Sequence, residues 1–179
     1  MKYFVLSDIH GASSKLIEIL KCFEKEKADK IIILGDILYH GARNPLPATY
    51  DTMKTAEILN AKKELIIGVK GNCDSEVDEL VLEFTLHKHF SFQLGEKMIF
   101  LTHGHQFNED NLPNIMSGSV LLHGHTHIPM IKEKNNIVIS NPGSVGIPKG
   151  GSDSGYLLLE ESKIILKNIT GKIIEERKI

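Results

Sequence analysis

The sequence predicts an α/β protein in which two sheets form one sandwich with helices on the outside. Two observations lead to this prediction. Short apolar strands alternate with amphipathic helices in the first half of the chain, and closely spaced strands follow in the second half. The chain has 179 residues and no evident linker, repeat or low-complexity segment. We therefore expect a single domain over residues 1–179.

The first half is predicted to alternate between strands and helices. The apolar segment Tyr3–Ser7 is predicted to form a buried strand. A helix is predicted to follow, with Ser13 or Ser14 as its N-cap and apolar residues at helical spacing. The strand–helix–strand order favours parallel pairing with a right-handed crossover. The further predicted strands are 31–34 and 64–69, and the further helices are 50–60 and 76–83.

The second half is predicted to be mainly antiparallel. Turn residues such as Gly95, Asn135-Asn136 and Gly171 separate several short β-type segments, as in hairpins. The predicted strands are 90–94, 97–102, 120–122, 128–132, 137–140, 156–159, 164–169 and 172–176. We expect the two halves of the chain to form the two sheets.

The composition excludes several classes of protein. The 21 basic residues nearly balance the 23 acidic ones, and aromatic residues do not interleave with basic ones, so we expect no nucleic-acid partner. No apolar run approaches the ~20 residues of a membrane span, and no cleavable signal is evident, so we expect a cytoplasmic protein without a membrane partner. Two cysteines, Cys22 and Cys73, predict neither a disulfide framework nor a CxxC zinc site.

Metal-ligand residues cluster where predicted strands end. The chain has nine histidines, an unusual number for its length, and most lie in these clusters. In an open α/β sheet, loops beyond the carboxyl ends of the strands converge on one site. Five such clusters therefore predict one shared site. In chain order they are Asp8-Ile9-His10, Gly35-Asp36, Gly71-Asn72, Thr102-His103-Gly104-His105 and His123-Gly124-His125-Thr126-His127.

The donor types indicate a pair of divalent metal ions. Carboxylates, imidazoles and one carboxamide suit Mn²⁺, Fe²⁺, Co²⁺, Ni²⁺ or Zn²⁺. Seven candidate ligands are too many for one ion, whereas two ions about 3.5–4 Å apart, sharing one carboxylate, would use them all. Such a pair lowers the pKa of a bridging water and stabilises in-line displacement at phosphorus. The chemistry predicted is hydrolysis of a phosphoester by attack of a bridging hydroxide.

The ordered motifs resemble those of the calcineurin-like metallophosphoesterase superfamily over residues 1 to about 150. The longer strings SDIHG, ILGD, HGARNPLP, GNCDSEVD, LTHGH, HGHTHIP and NPGSVGIPKGG are similar to those of small bacterial phosphodiesterases of the YfcE type. The resemblance implies a four-layer α/β/β/α sandwich of two mixed sheets flanked by helices. It also implies a small phosphodiester substrate, Mn²⁺ as the metal and self-association into a homo-oligomer.

The resemblance also implies a distribution of the ligands between two ions. Asp8, His10, Asp36 and His127 would bind the first ion, and Asp36, Asn72, His103 and His125 the second. Asp36 is the one carboxylate that follows a central buried strand, which agrees with a bridging role. His125 and His127 would share a face if their segment is extended. Catalysis is expected to depend on Asp36, Asn72, Cys73 and His103.

Cys73 departs from the pattern of the wider superfamily. Many relatives carry a histidine directly after Gly-Asn, assigned to protonating the leaving oxygen or contacting the phosphoryl group. A thiol, with a reference pKa of ~8.5, replaces an imidazolium acid poorly near neutrality. We therefore predict a preference for phosphodiesters with good leaving groups over alkyl monoesters.

Arg43, Asn44 and Cys73 are predicted to contact the substrate. Arg43 lies in the loop after Asp36, and its guanidinium matches phosphate oxygens; a salt bridge that tethers the loop is the alternative. Other residues are predicted to surround the site. We expect His105 and His123 to support metal ligands, His40 to form a pocket wall, Lys149-Gly150-Gly151 to form a rim, and Asn141-Pro142-Gly143-Ser144 either to present amides or to form a plain turn.

A scaffold protein is the rival to the enzyme. The retromer subunit that resembles this fold binds partners rather than turning over substrate, and such proteins are expected to lose metal ligands. Every expected ligand is present in this sequence. The enzyme is therefore the preferred hypothesis.

Overall fold

The computed structural model describes residues 1–179 and contains two mixed β-sheets. The strands are β1 (Tyr3–Leu6), β2 (Lys30–Ile33), β3 (Ile66–Val69), β4 (Leu86–His87), β5 (Phe90–Leu94), β6 (Lys97–Leu101), β7 (Val120–Leu122), β8 (Met130–Lys134), β9 (Ile137–Asn141), β10 (Gly155–Glu160), β11 (Lys163–Asn168) and β12 (Ile173–Lys178). The helices are α1 (Ser13–Glu26), α2 (Thr52–Asn60) and α3 (Glu76–Val81), with a 3₁₀ turn at Lys63–Leu65. None of these helices is both long and apolar enough to cross a membrane.

The first sheet has seven strands in the order β12-β11-β10-β1-β2-β3-β4. Strands β1 to β4 pair in parallel, as the strand–helix–strand pattern predicts. The antiparallel strands β10, β11 and β12 extend this sheet, because β10 pairs with β1. The expectation that each half of the chain forms its own sheet is therefore wrong. Pairing of Tyr3 with Leu159 is a long-range contact that local turn signals do not encode.

The second sheet has five strands in the order β5-β6-β7-β9-β8. Hairpins join β5 to β6 and β8 to β9, whereas β6, β7 and β9 pair in parallel. Both sheets are mixed, as expected. The parallel strands of each sheet are short and largely apolar, which is the pattern of strands buried on both faces.

Alternating side chains divide the interior into two main apolar cores. Phe4 and Leu6 of β1 point toward the helices, where they pack with Leu16 of α1. Val5 points the other way, into the core between the sheets, together with Ile99 of β6. This period of two follows from strand geometry. The core between the sheets holds them face to face, and the other core holds the helices on the first sheet.

The helices all cover the first sheet, and residues 102–119 cover the second one. This segment has no helix; its Leu112 and Ile115 pack on Leu121 and Ile139 of the outer sheet face. The two-sheet sandwich is confirmed, but its fourth layer is irregular chain rather than helix. Asn and Gly residues within 102–119 favour turns over helix, which accounts for the difference.

Element boundaries differ from the prediction at a few positions. Ala12, not a serine, is the N-cap of α1, and the Ser13 hydroxyl donates to the Thr49 carbonyl instead. Helix α2 begins after Asp51, whose carboxylate accepts from the Lys54 amide. The two-residue strand β4 was not predicted, because so short a segment carries no periodic pattern.

Candidate metal centre

The ends of β1, β2, β3, β6 and β7 bring the seven predicted ligands to one edge of the sandwich. Each of the five loops turns sharply after its strand. Five ligands adopt left-handed backbone conformations, which non-glycine residues rarely adopt: Asp8, His10, Asp36, His125 and His127, with φ of 54°, 50°, 53°, 67° and 62°. Such strain persists where the surrounding structure enforces it and clusters at functional sites.

Asp8, His10 and His127 form the first ligand group. His127 Nε2 lies 3.2 Å from Asp8 Oδ1, and His10 Nε2 lies 3.6 Å from the same oxygen. The two imidazole nitrogens are 3.2 Å apart. All three side chains are buried, and their donor atoms lie close together at the base of the site.

Asp36, His103 and His125 form the second ligand group. His103 Nε2 lies 3.3 Å from Asp36 Oδ2 and 3.3 Å from His125 Nδ1. The Asn72 carboxamide oxygen lies 3.1 Å from His103 Nε2. The predicted carboxamide therefore reaches the same group as the two imidazoles.

Asp36 belongs to both groups. Its Oδ2 lies 3.3 Å from His103 Nε2 in the second group and 3.8 Å from His10 Nε2 in the first. Its Oδ1 accepts the backbone N–H of Cys73 at 2.8 Å, which orients the carboxylate. The geometry thus places one carboxylate oxygen between two ligand clusters.

Backbone carbonyls set the tautomers of three histidines. The Nδ1 atoms of His10, His103 and His127 lie 2.8, 2.7 and 2.6 Å from the carbonyls of Tyr39, Leu34 and Ile147. A carbonyl only accepts, so each Nδ1 carries the proton and donates. In the neutral form of each ring, Nε2 therefore presents a lone pair to the centre, as in metal-bound histidines.

Charges at the centre are strongly coupled. Burial alone would raise the pKa of Asp8, but His10 and His127 outweigh it and hold that pKa well below its ordinary value. Burial lowers the pKa of His103, but the Asp36 carboxylate outweighs this effect and raises it to about 9. Burial and the positive charge of His103 lower the pKa of His125. The buried carboxylates of Asp8 and Asp36 are therefore stabilised by positive charge within the centre.

His125 and His127 reach different groups, although not by the predicted route. Their segment is not extended, because both residues have left-handed φ and the Thr126 N–H donates to the Gly124 carbonyl. Nδ1 of His125 faces His103, whereas Nε2 of His127 faces Asp8. The face-sharing argument from an extended strand was wrong, and a local turn separates the two rings.

Three other histidines surround the centre. His105 is exposed beside the second group, with its ring centroid 5.6 Å from that of His103. His123 is buried, and its Nε2 lies 3.2 Å from Glu109 Oε2 rather than against a metal ligand. His40 packs between the rings of Tyr39 and Tyr50 and does not line the cleft, so its prediction as a pocket wall was wrong.

The segment Asn141–Ser144 forms a structural turn, not a surface for substrate. Asn141 and Ser144 are fully buried, and the Asn141 side chain accepts from the Gly143 N–H. The Ser144 hydroxyl donates to the Asp8 carbonyl at 2.7 Å. The turn therefore supports the loop that carries Asp8.

Asp74 is the supporting residue that sequence analysis missed. Its buried carboxylate accepts the N–H groups of Asp36, Ile37 and Gly71 at 2.8, 2.8 and 2.7 Å. It thereby joins the loop after β2 to the loop after β3. The sequence signal was an acid in GNCD, but nothing local distinguishes a buried brace from a turn residue.

Two glycines allow close approach within the centre. A Cβ at Gly124 would overlap Ser7 Oγ and stand 2.6 Å from Asp8 Oδ2, and a Cβ at Gly71 would overlap Asp36 Oδ1. Asp8 Oδ2 itself accepts from the Ser7 hydroxyl at 2.6 Å and from the His125 N–H at 2.9 Å. The flanking glycines of the motifs are therefore required by packing against the carboxylates.

A cleft of about 780 Å³ opens over the centre. Ligands Asp36, Asn72, His125 and His127 line its base. Its walls include three predicted substrate-contact residues and the predicted rim lysine: Arg43, Asn44, Cys73 and Lys149. Arg43 makes no ion pair, so the alternative of a tethering salt bridge was wrong. The Asn44 side chain donates to the His40 carbonyl and braces the loop.

The structure is a two-sheet sandwich with two adjacent groups of candidate metal ligands at its strand ends, an arrangement suited to metal-dependent hydrolysis. A family model described as the calcineurin-like phosphoesterase superfamily domain matches residues 1–163. The chain belongs to the calcineurin-like phosphoesterase superfamily.

Individual relatives are similar over most of the chain. Phosphodiesterase YfcE of Escherichia coli strain K12 is 45% identical over 161 residues, covering 89% of this chain and 88% of that protein. The solved structure of the E. coli phosphoesterase YfcE matches all of both chains with a TM-score of 0.96 and 40% identity. Phosphodiesterase MJ0936 of Methanocaldococcus jannaschii is 27% identical over 165 residues, covering 84% of this chain and 91% of that protein.

A more distant structure shares the fold alone. Wild-type Vps29 of Entamoeba histolytica in complex with Zn²⁺ has a TM-score of 0.59 and 21% identity, and the match covers all of this chain and 98% of that chain.

Proposed function

We propose that this protein is a metal-dependent phosphodiesterase that hydrolyses small phosphodiesters at a dinuclear centre, with Mn²⁺ as its metal. The observation that carries the proposal is the position of Asp36 Oδ2, within 3.8 Å of His10 Nε2 and 3.3 Å of His103 Nε2. A carboxylate oxygen between two clusters is the arrangement a bridging ligand needs. The names of the two phosphodiesterase relatives support the substrate class.

The residues present fit a pair of divalent cations. Asp8 Oδ1 is fully buried without a hydrogen-bond partner, which is costly unless a cation compensates it. The Nε2 lone pairs of His10 and His127 point at the same space. Carboxylate, imidazole and carboxamide donors suit ions from Mn²⁺ to Zn²⁺. One ion would take Asp8, His10, Asp36 and His127, and the other would take Asp36, Asn72, His103 and His125.

The protein residues have distinct tasks in the proposed reaction. Bound ions would neutralise charge on the phosphoryl group and lower the pKa of a water that they share. The Cys73 backbone N–H holds the Asp36 carboxylate in its shared position. Arg43 offers a planar set of donors to phosphate oxygens from the cleft wall. The cleft leaves room for both substituents of a small diester.

Cys73 contributes little as a proton donor. Burial, followed by the negative charge of Asp36, raises the pKa of its thiol to about 12. In the metal-free centre the thiol therefore keeps its proton at neutral pH and is neither a nucleophile nor an efficient general acid. A leaving group that departs as a stable anion needs no such acid. Activated phosphodiesters are accordingly the proposed preferred class.

The first experiment is hydrolysis of bis(p-nitrophenyl) phosphate by chelator-treated protein with and without added Mn²⁺. We expect turnover only with metal, and an Asp36→Ala variant without turnover. Asp51→Ala, which removes the N-cap of α2, is a matched acid control that keeps turnover. Full activity of Asp36→Ala, or no recovery on adding Mn²⁺, contradicts the proposal.

Metal analysis separates the enzyme from the scaffold. Two ions per chain with turnover support the enzyme, whereas weak metal binding without turnover supports the scaffold. The ligand groups of the enzyme hypothesis lie together at one edge of the sandwich, which is the reason to propose the enzyme. Self-association, a cytoplasmic location and the absence of a nucleic-acid partner remain predictions.

A further inference from the structure

Two cations without protein partners line the cleft above the metal centre. Arg43 and Lys149 are both exposed, and neither side chain makes an ion pair or a hydrogen bond within the protein. The chain has one other arginine, Arg177, and it pairs with Glu133. The cleft therefore holds unneutralised positive charge in addition to that of any bound metal.

Ordered turns carry both cations. The Asn44 N–H donates to the Gly41 carbonyl at 3.1 Å, which closes the turn that contains Arg43. The Lys149 N–H donates to the His127 carbonyl at 3.1 Å, and its own carbonyl accepts from the Ser152 hydroxyl at 2.7 Å. One turn follows β2 and the other follows β9. The two charges thus lie on separate walls of the cleft. The turn with Arg43 follows the loop of Asp36, and the turn with Lys149 is hydrogen-bonded to His127.

The balance of charge in the cleft favours an anionic ligand group. Of the thirteen lining residues, Asp36 is the only carboxylate, and it belongs to the proposed metal centre. Nothing else on the walls compensates Arg43 and Lys149. A concave surface concentrates the field of such charges, and guanidinium and ammonium groups form their strongest hydrogen bonds with phosphate and carboxylate oxygens. The volume of about 780 Å³ holds much more than one phosphate group.

We propose that the substrate is a phosphodiester that carries a second anionic group on the substituent lying between Arg43 and Lys149. The second group is a phosphate or a carboxylate, which these two side chains recognise by the same chemistry. This inference rests on the proposed function, because it assigns the substrate class of the same site.

The test compares diesters that differ only in this second charge. Ethyl p-nitrophenyl phosphate is the reference, and its 2-carboxyethyl and 2-phosphoethyl analogues carry the added anion. All three release p-nitrophenol, so the leaving group is constant. With the Mn²⁺-loaded full chain, we expect kcat/KM to be about tenfold higher for the charged diesters, since each exposed pair contributes roughly threefold.

Variants identify the source of this preference. The ratio to follow is kcat/KM for a charged diester divided by kcat/KM for ethyl p-nitrophenyl phosphate. Arg43→Gln and Lys149→Gln should each reduce this ratio about threefold, and the double variant should bring it near one. If a variant also loses a contact with the phosphodiester group, which all three substrates share, kcat/KM falls equally for each of them and the ratio does not change. Lys21→Gln, on the exposed face of α1, is the control and should keep the ratio. Added monovalent salt should lower the wild-type ratio.

The outcomes distinguish this inference from the proposed function. Hydrolysis of all three diesters with a ratio near one in the wild type overturns the second anionic group and leaves the phosphodiesterase intact. A high ratio that persists in the double variant also overturns the inference, because the preference for the second anionic group then comes from the bound metals and not from Arg43 and Lys149. No metal-dependent hydrolysis of any diester overturns the proposed function itself.

Discussion

Asp74 offers a direct test of how the centre is held. Its carboxylate is the only acceptor that joins the N–H groups of Asp36, Ile37 and Gly71, all within 2.8 Å. An Asp74→Asn substitution keeps the shape but replaces one accepting oxygen with a donating amide. At least one buried N–H then lacks an acceptor, at a cost of about 1–3 kcal/mol; Asp74→Ala orphans all three, at about 3 kcal/mol or more.

Equilibrium urea unfolding in excess chelator measures these costs, because bound metal would otherwise stabilise the folded state by mass action. Isothermal titration with Mn²⁺ should also show weaker binding in both Asp74 variants, since the backbone N–H of Asp36, the proposed shared ligand, loses its acceptor. Asp51→Ala is the control: loss of an exposed N-cap costs about 1 kcal/mol and should leave Mn²⁺ affinity unchanged. The reasoning is refuted if Asp74→Ala is no less stable than Asp51→Ala.

Three further predictions concern the centre and its chemistry. Gly124→Ala should abolish tight Mn²⁺ binding by displacing Asp8, whereas Gly118→Ala, which meets no atom within 4 Å, should cost only stability through its left-handed φ; equal Mn²⁺ affinities in titration would contradict this. Because the pKa of His103 is about 9 without metal, the ring is protonated at neutral pH, and Mn²⁺ must displace that proton. Mn²⁺ affinity should therefore rise about tenfold per pH unit from 7 to 9, and a flat profile would exclude this competition. Because the Cys73 thiol is a poor acid, kcat/KM for bis(p-nitrophenyl) phosphate should exceed that for an alkyl phosphomonoester, and the reverse order would show that the reasoning is wrong.

The sequence identified the candidate ligands because each of them lies in a local motif at the end of an apolar strand. Parallel strands end at a common edge, so the motifs alone place Asp8, Asp36 and Asn72 together. His103 and His125 followed from the same logic in the second sheet. Local sequence patterns suffice to locate a site residue when that residue directly follows a strand that the sequence predicts.

Other features depended on contacts between distant segments. The sequence could not show that β10 pairs with β1, since several exposed edges could accept the C-terminal hairpins. Nor could it show that Asp74 binds three backbone N–H groups from two loops. The left-handed turns at His125 and His127 were also missed, because strain of this kind is imposed by the surrounding fold.

The sequence by itself determined the strand order along the chain, the clustering of ligands at strand ends and the superfamily. These depend on short-range patterns of apolar, glycine and ligand-type residues. Only the tertiary structure decided which oxygen of Asp36 faces both groups, which nitrogen of each histidine is free, and where Arg43 and Lys149 stand. Those properties depend on hydrogen bonds to carbonyl and amide groups of other loops. These groups are distant in sequence and come within bonding distance only when the chain folds.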